Sequence, residues 1–567
     1  MTRRGLNPII TWKNGSTTQL GSMQHASMTC GAGGAKWFKI GYDDLVELLG
    51  TSCGIGSMLV FHTLKLLACS ARWRCMRRAL CLSVVIAPIG LSGCSGAGPT
   101  GTASVSSSFF RFVQLDGFAL SNVTGVQYTI APKPGSVSKP VHVEYSLSAL
   151  QARGYLSGRS FMVPVFGLYS GYENQVSVQV VEETSGPISL EFTIPTPAYT
   201  DPSGIYTQPN IVTPRATGSA LGFDFIFIKS ALGSPVIIDT DGEVRWVASG
   251  SVTNSISSTF TADEFIIGDA GQPKVYRLRL DGSITQSDLP SSTYTDFNHN
   301  VDRGKYGFLA EVDAASGGVA SIESNVIEFT YSGFISIPNH WDLGAILSAY
   351  MSSHGDDAAA FVRPGVDWFH SNSAIYDPRD DSVIVSSREN FVIKLDYRTG
   401  EIIWILGDPT KYWYTLPSLR AKALTLAPGA LYPIGQHALS ITSDGLLMLF
   451  NDGLGSFNQP AGAPAGESRT YSAVSAYSID EQSMTAQNIW NYSADESIYS
   501  AVCSSAYKAT GKSILVDYAV AENFTKALLV GLDSNHNVAF EFQYPTSPCN
   551  TSWNARPIAL DDLKIDY

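Results

Sequence analysis

Between residues 220 and 545 the chain repeats one pattern six times, and that periodicity limits its fold more than any other feature. An apolar run ends a strand pair, and a second apolar run follows with Asp or Gly at a turn. The first runs are "FDFIFIKS", "EFIIGDA", "YGFLAEVD", "DSVIVSS", "GLLMLFND" and "KSILVDYA". Their partners are "VIIDTDGEVRWV", "VYRLRLDGSIT", "VIEFTYSGFIS", "VIKLDYRTGEIIWIL", "AYSIDEQSMTAQNIW" and "LVGLDSNHNVAFEF". In four of the six a Gly turn separates two apolar stretches, which is hairpin chemistry. Each unit thus offers about four strands, the size of a propeller blade. Radial closure of such units protects their edge strands. The expected fold is all-β: a six-bladed β-propeller over residues 201–567, with a long insertion at 339–366. Two stacked sandwiches are the rival arrangement.

The segment ahead of the repeats has a different spacing. Residues 105–200 hold short alternating runs, "VHVEYSL", "SFMVPVFGLY", "NQVSVQVVEE" and "ISLEFTI", separated by turn residues as in a small β-sandwich. The Pro-rich "IPTPAYTDPSG" closes this unit, and a Gly/Ser-rich linker at 95–104 precedes it. Residues 76–94, "MRRALCLSVVIAPIGLSGC", have a charged start, an apolar run and a small-residue tail, the three-part shape of a secretory signal. The tail Leu91-Ser92-Gly93-Cys94 resembles a bacterial lipobox, so Cys94 is the expected site of lipidation. The chain is then expected to be exported and lipid-anchored at the periplasmic face of a bacterial membrane. Residues 1–75 read as an upstream or disordered extension.

Formal net charge is −13 and no basic run follows residue 80, which argues against nucleic acid as a partner. The cysteines form no Cys-x-x-Cys, so a zinc or redox motif of that kind is not indicated. After Cys94 only Cys503 and Cys549 remain, and a disulfide between them is expected in an oxidising compartment.

Chemistry concentrates in "DWFHSNSAIYDPRDDSVIVSSREN", residues 367–390. If "SNSAIYD" and "SVIVSS" are antiparallel strands joined by "DPRDD", the chain doubles back and sets His370 beside Arg388. Two other repeats share the arrangement: His299 stands eight residues before Gly307, and His437 eight before Gly445. Cys503 lies eight before Gly511 and is expected near the same place. The inner strands of a propeller line one channel, so three imidazoles and a guanidinium are expected at one mouth. Three His could bind a metal; the adjacent Arg argues instead for a tetrahedral oxyanion held by paired donors. A neutral His is a competent nucleophile, and the set suits phosphoryl or sulfuryl transfer, where catalysis is mostly positioning. With no P-loop and no Asp-rich metal site, a nucleotide donor is not indicated. "KYWYTLPS" lies between two of these hairpins, and Tyr412, Trp413 and Tyr414 are expected to surround the mouth if the substrate carries an aromatic ring.

The stretch from "DWFHSNSAIYDPRDDSVIVSSREN" to "IIWILG", followed by "GQHALSI", resembles the bacterial arylsulfate sulfotransferases, which use aryl sulfates and not PAPS. The resemblance covers the propeller and, more weakly, the preceding β-domain. It implies a ping-pong transfer of a sulfuryl group from an aryl sulfate to a phenolic acceptor through a sulfohistidine, with neither PAPS nor metal as cofactor. The family's nucleophile falls on His437 and its sulfuryl-holding arginine on Arg388. His370 and His299 would bind sulfuryl oxygens or exchange protons with the phenols, and Asn372 would orient the group. The chain departs from the family in having Glu389 and Asn390 after Ser-Ser-Arg, a single His in "NHN", and no short-range cysteine pair. Glu389 is expected either to point away along the strand or to lower the site's positive potential. A homodimer is left open. A non-catalytic propeller that binds a small anion or a protein partner, and an aryl sulfate hydrolase, are the alternative readings.

Overall fold

The computed structural model describes residues 100–103, 107–248, 252, 254–290 and 292–566. The expected extension at 1–75 and the signal and lipobox at 76–94 lie outside them. No described helix is long and apolar enough to cross a membrane.

The chain is nearly all-β, and its larger part is a propeller of antiparallel sheets, one for each of the six sequence repeats. The fourth sheet shows how sequence sets this pattern. Its strands are Ser371–Asp377, Ser382–Ser387, Phe391–Asp396 and Ile402–Gly407, joined in chain order. The first two match the strands "SNSAIYD" and "SVIVSS" read from the sequence. Between them Asp377 accepts the backbone N–H of Arg379, and Asp381 takes a positive φ of 56°, so the "DPRDD" turn is tight.

First strands of successive sheets neighbour one another. Ser258–Thr261 packs on Tyr294–Arg303, which packs on Ser371–Asp377, and His437–Ile441 and Ser505–Lys508 follow in turn. The last neighbour is Asn554–Ile558, which hydrogen-bonds to Phe225–Lys229 as the inner strand of the first sheet. The C-terminal segment thereby closes the ring and removes an open edge. Asn210–Thr213 covers the outer edge of the sixth sheet.

The N-terminal domain is a sandwich. One sheet holds Thr100–Ala103, Phe110–Asp116, Ser160–Phe166 and Leu156–Ser157; the other holds Val141–Ser146, Val123–Ile130, Glu173–Glu182 and Ile188–Pro195. Two boundaries differ from the sequence reading. Thr100–Ala103, expected in the linker, pairs with Phe110–Asp116. Leu563–Ile565, expected in the propeller, adds in parallel to Val141–Ser146 of the sandwich. One apolar core runs from Val113, Tyr128 and Val163 of the sandwich to Phe227, Trp246 and Phe265 of the first two repeats. Arg245 pins this junction: it donates to the Gly167 carbonyl at 2.7 and 3.1 Å, pairs with Asp239 at 2.9 Å and lies 3.7 Å over the Tyr169 ring. Each bond of this buried cation is charge-assisted, which offsets its desolvation.

Candidate active site

The inner strands of the third, fourth and fifth sheets each lose register beside a histidine. The irregularity spans Phe297/Val301 around His299, Ser371/Ser373 just after His370, and His437/Ser440 just after His437. A bulge re-aims a side chain that a regular strand would send elsewhere. His370 itself has φ 55° and Ala438 has φ 54°, left-handed conformations that L-residues rarely hold without support.

These strand ends converge. The His299 ring lies 4.6 Å from His370 and 6.3 Å from His437, centroid to centroid. Arg388 follows its strand directly, and its backbone N–H donates to the His370 carbonyl at 3.0 Å, which is the pairing expected of the hairpin. The structure thus brings together His299, His370, His437 and Arg388.

His437 is 5% exposed, and its Nδ1 lies 2.9 Å from the Gly435 carbonyl and 2.6 Å from Asp452 Oδ2. A carbonyl oxygen can only accept, so Nδ1 carries the proton and Nε2 keeps its lone pair. Burial first, then the charges of His299, Arg388 and His370, push the His437 pKa well below its usual value. The imidazole is therefore neutral at neutral pH, with a fixed tautomer.

Arg388 is 1% exposed. Its Nη1 donates to Glu389 Oε1 at 2.8 Å, and the Phe457 ring stacks on the guanidinium at 3.9 Å. Its Nε and Nη2 are buried with no partner among the described residues. Two such donors cost free energy unless an anion meets them. Glu389 takes neither of its expected roles alone: besides pairing with Arg388, its carboxylate accepts the N–H groups of Phe457 and Asn458 at 3.1 and 2.6 Å. It fastens that loop over the site. The Glu389 carbonyl receives Lys411 Nζ, Ser456 Oγ and Gln459 Nε2, so the site's floor is also tied to the segment that follows the fourth sheet.

Three carboxylates that sequence reading passed over complete the geometry. Glu323 Oε2 is 2.7 Å from His370 Nδ1 and 3.2 Å from His299 Nε2. Asp367 Oδ2 is also 2.7 Å from His370 Nδ1, and Asp452 holds His437. The donor atoms of His299, Glu323 and His370 lie within 4.8 Å of one another, close enough for a divalent cation. They are spent on each other, however, and Arg388 adds positive charge beside them, which favours an anion.

Other expected residues have different places. Asn372 donates its amide to the Gln436 carbonyl at 2.8 Å, and Gln436 in turn donates to the Ser387 carbonyl at 2.6 Å. Asn372 thus braces the residue before His437. Tyr412, Trp413 and Tyr414 do not surround the histidines. Trp413 is buried against Phe391 with its indole N–H on the Asp408 carbonyl, Tyr412 packs on Phe361, and Tyr414 lies on Trp413. They belong to the core beneath the helix Leu343–Ser353, where apolar packing outcompetes exposure. Aromatic surface at the site comes from Phe457, 61% exposed, and from Trp553, whose ring is 5.1 Å from His299. Cys503 and Cys549 are joined by a disulfide and pack with Trp553, so that bond steadies the segment carrying the indole. A cavity of about 580 Å³ between sandwich and first sheet, beside Phe109, Tyr199 and Val247, has no basic side chain in its wall and lies outside this chemistry.

The inner strands of this propeller thus gather a fixed-tautomer imidazole, two further imidazoles and a guanidinium with two donors unpaired among the described residues, an arrangement suited to an anion. The chain belongs to the arylsulfotransferase (ASST) family, whose model matches residues 212–554, and the family's Ig-like domain matches residues 116–197. It is similar to the arylsulfate sulfotransferase AssT of Escherichia coli O6:H1, with 34% identity over 146 residues, 23% of this chain and 24% of that one. The AssT of Lelliottia amnigena is 30% identical over 142 residues, 22% of this chain and 23% of that one. The matched stretch spans about a quarter of the length of these curated relatives. Among solved structures, the β-propeller domain of Myceliophteria thermophila Cps50 (Swd1) aligns at 12% identity with a TM-score of 0.31, over 58% of this chain and 87% of that one.

Proposed function

We propose that this chain transfers a sulfuryl group from an aryl sulfate to a phenolic acceptor through a sulfohistidine at His437. One observation carries the reading: His437 has its Nε2 lone pair free while Arg388, whose charge acts on it, has two buried donors unused. The family's name and the two AssT relatives support the same reaction class.

In the first half-reaction Nε2 of His437 attacks sulfur, the S–O bond to the aryl group breaks, and its electron pair leaves on the phenolic oxygen. Arg388 holds sulfuryl oxygens through its paired donors as charge spreads over them. The positive charge arising on the imidazole is met by Asp452 through the Nδ1–H bond, as a triad carboxylate meets its imidazolium. In the second half-reaction a phenol oxygen takes the sulfuryl group and the pair returns to Nε2. No step requires PAPS or a metal. Trp553 and Phe457 offer faces on which a phenol ring can stack. We place the chain, on its signal-like and lipobox residues, as an exported protein anchored by lipid at Cys94. A hydrolase reading draws on the side chains of His370, Glu323 and Asp367, which are 20%, 21% and 27% exposed and so within reach of water.

Enzyme mixed with 4-nitrophenyl sulfate alone and quenched in acid-free denaturant is expected to carry a sulfonated His437 by mass spectrometry. A burst of nitrophenol without any modified histidine would refute the covalent route. Added phenol should become phenyl sulfate; inorganic sulfate at an unchanged rate would mark hydrolysis instead.

The pH dependence follows from the two imidazoles. Burial depresses the His370 pKa, but Glu323 and the hydrogen bonds to Asp367 and Glu323 outweigh it and lift it to about 10. His370 is thus protonated, and His437 neutral, across the neutral range. The kcat/KM for an aryl sulfate should be flat from about pH 6.5, falling on the alkaline side only as pH approaches about 10. A break near 8 would instead report Lys411, whose pKa burial lowers to about 8.

A further inference from the structure

We propose that Glu323, with Asp367, is the positioning residue that makes His370, and not His299, the proton donor to the departing phenol. The inference rests on the transfer reading above and assigns a division of labour within it.

The geometry is asymmetric. His370 Nδ1 faces two carboxylate oxygens at 2.7 Å each, from Glu323 and Asp367, while its Nε2 has no partner among the described residues. His299 turns its Nε2 to Glu323 at 3.2 Å, and its Nδ1 is buried beside the Trp553 indole without a partner among the described residues. Two carboxylates on one ring nitrogen demand a proton there and favour a second proton on the far nitrogen. His370 is thus an imidazolium with a free N–H on the side away from the carboxylates, whereas His299 meets one carboxylate, at the longer distance, and its other nitrogen is buried. His437, with Nδ1 fixed and Nε2 unprotonated, cannot donate that proton.

Glu323 is held for this task. It sits where Val319–Tyr331 bulges out of register opposite Asp313, with φ 44°. Its backbone N–H donates to Asp313 Oδ1 at 2.7 Å, and the same oxygen accepts from Asn298 at 3.0 Å. Asn298 adjoins His299 in the chain, so one half-buried carboxylate fixes both Glu323 and the strand that carries His299. A strained L-residue kept in place by a dedicated acceptor marks a site whose side-chain direction matters.

The proton balance is closed. As His437 Nε2 bonds to sulfur, the S–O(aryl) bond breaks and its pair goes to the phenolic oxygen, which takes the proton from His370 Nε2. His370 is left neutral, with its Nδ1–H still on the carboxylates. In return, His370 Nε2 removes the proton of the incoming phenol as that oxygen attacks sulfur, and the N–S pair goes back to His437. No other reactant is consumed.

A general acid matters most when the leaving phenol is a strong base. Glu323→Gln and Asp367→Asn should be assayed with 4-nitrophenyl sulfate and with phenyl sulfate, phenol or naphthol being the acceptor. For 4-nitrophenyl sulfate each variant is expected to lose only a few-fold, and for phenyl sulfate on the order of 10²-fold. Glu323→Asp should recover part of the phenyl sulfate rate. Equal losses with both donors would overturn the assignment and leave Glu323 a structural role; so would a wild-type rate abolished by EDTA and restored by zinc, which would give the His299–Glu323–His370 group to a metal. Asp367→Asn carries the test alone if Glu323→Gln does not fold. A wild-type chain that moves nothing from 4-nitrophenyl sulfate to the acceptor would refute the transfer reading itself, an outcome distinct from unchanged donor selectivity in active variants.

Discussion

Replacing His437 with alanine is expected to lower kcat/KM for 4-nitrophenyl sulfate on the order of 10⁴–10⁶-fold, the scale seen when a covalent nucleophile is removed. No neighbouring group can substitute. His370 has its Nδ1 on two carboxylates and its Nε2 protonated, and His299 directs Nε2 to Glu323 while its Nδ1 is buried at the Trp553 ring, out of reach of a sulfuryl group. Alanine also leaves Asp452, fully buried, without the N–H that it accepts, at a cost of about 1–3 kcal/mol. His437→Gln restores an N–H donor and should therefore melt closer to wild type while remaining equally inactive. Nitrophenol release and thermal melts on both variants separate loss of chemistry from loss of fold. Turnover near the wild-type rate in either variant would remove His437 as nucleophile. A wild-type chain that binds sulfate but modifies no histidine and releases no phenol would instead be a binding propeller.

How far such a site can be read from sequence depends on whether its geometry is local. The His370–Arg388 pair was legible because a hairpin folds within a couple of dozen residues: the β-branched run of 382–387 and the "DPRDD" turn mark it, and 371–377 pairs back across that turn. The eight-residue spacing from His to Gly transferred that register to His299 and His437. The same logic would have found Asp452. Arg388 is the first residue after the second strand of its hairpin, and Asp452 is the first after Leu447–Asn451, the second strand of the next. Asp367 also lay within the quoted motif, three residues before His370, a spacing that gives no warning outside a helix.

Other features had no local signal. Glu323 occupies a bulge inside the 13-residue strand Val319–Tyr331, and no alternation in "SIESNVIEF" marks which side chain is expelled from register. Trp553 reaches His299 only because Asn554–Ile558 closes the ring against Phe225–Lys229, a pairing between the two ends of the propeller. Leu563–Ile565 is too short for a period and is fixed by its partner in the sandwich. The aromatic segment at 412–414 misled for a related reason: three rings in a row suit a ligand wall and a core equally. The helix Leu343–Ser353, part of the insertion, supplied the core.

Substituting Arg388 with lysine is the second large effect, and it separates charge from shape. The ammonium keeps a cation opposite Glu389 and so preserves the pairing that anchors Phe457 and Asn458. It cannot present two donors in one plane, nor stack on Phe457 as the guanidinium does at 3.9 Å. The expected loss in kcat/KM for aryl sulfates is roughly 10²–10³-fold, comparable to deleting one preorganised donor at a developing anion, with a melting temperature near wild type. Arg388→Ala should fall further on both counts. It strips the buried Glu389 carboxylate of its cation, at a cost of about 3–5 kcal/mol, and frees the loop over the site. If lysine instead supported the wild-type rate with both half-reactions intact, a simple positive charge would suffice. The unpaired Nε and Nη2 would then have no part in holding the sulfuryl oxygens. Steady-state kinetics on the two variants, beside their melts, decide between a point charge and a planar fork.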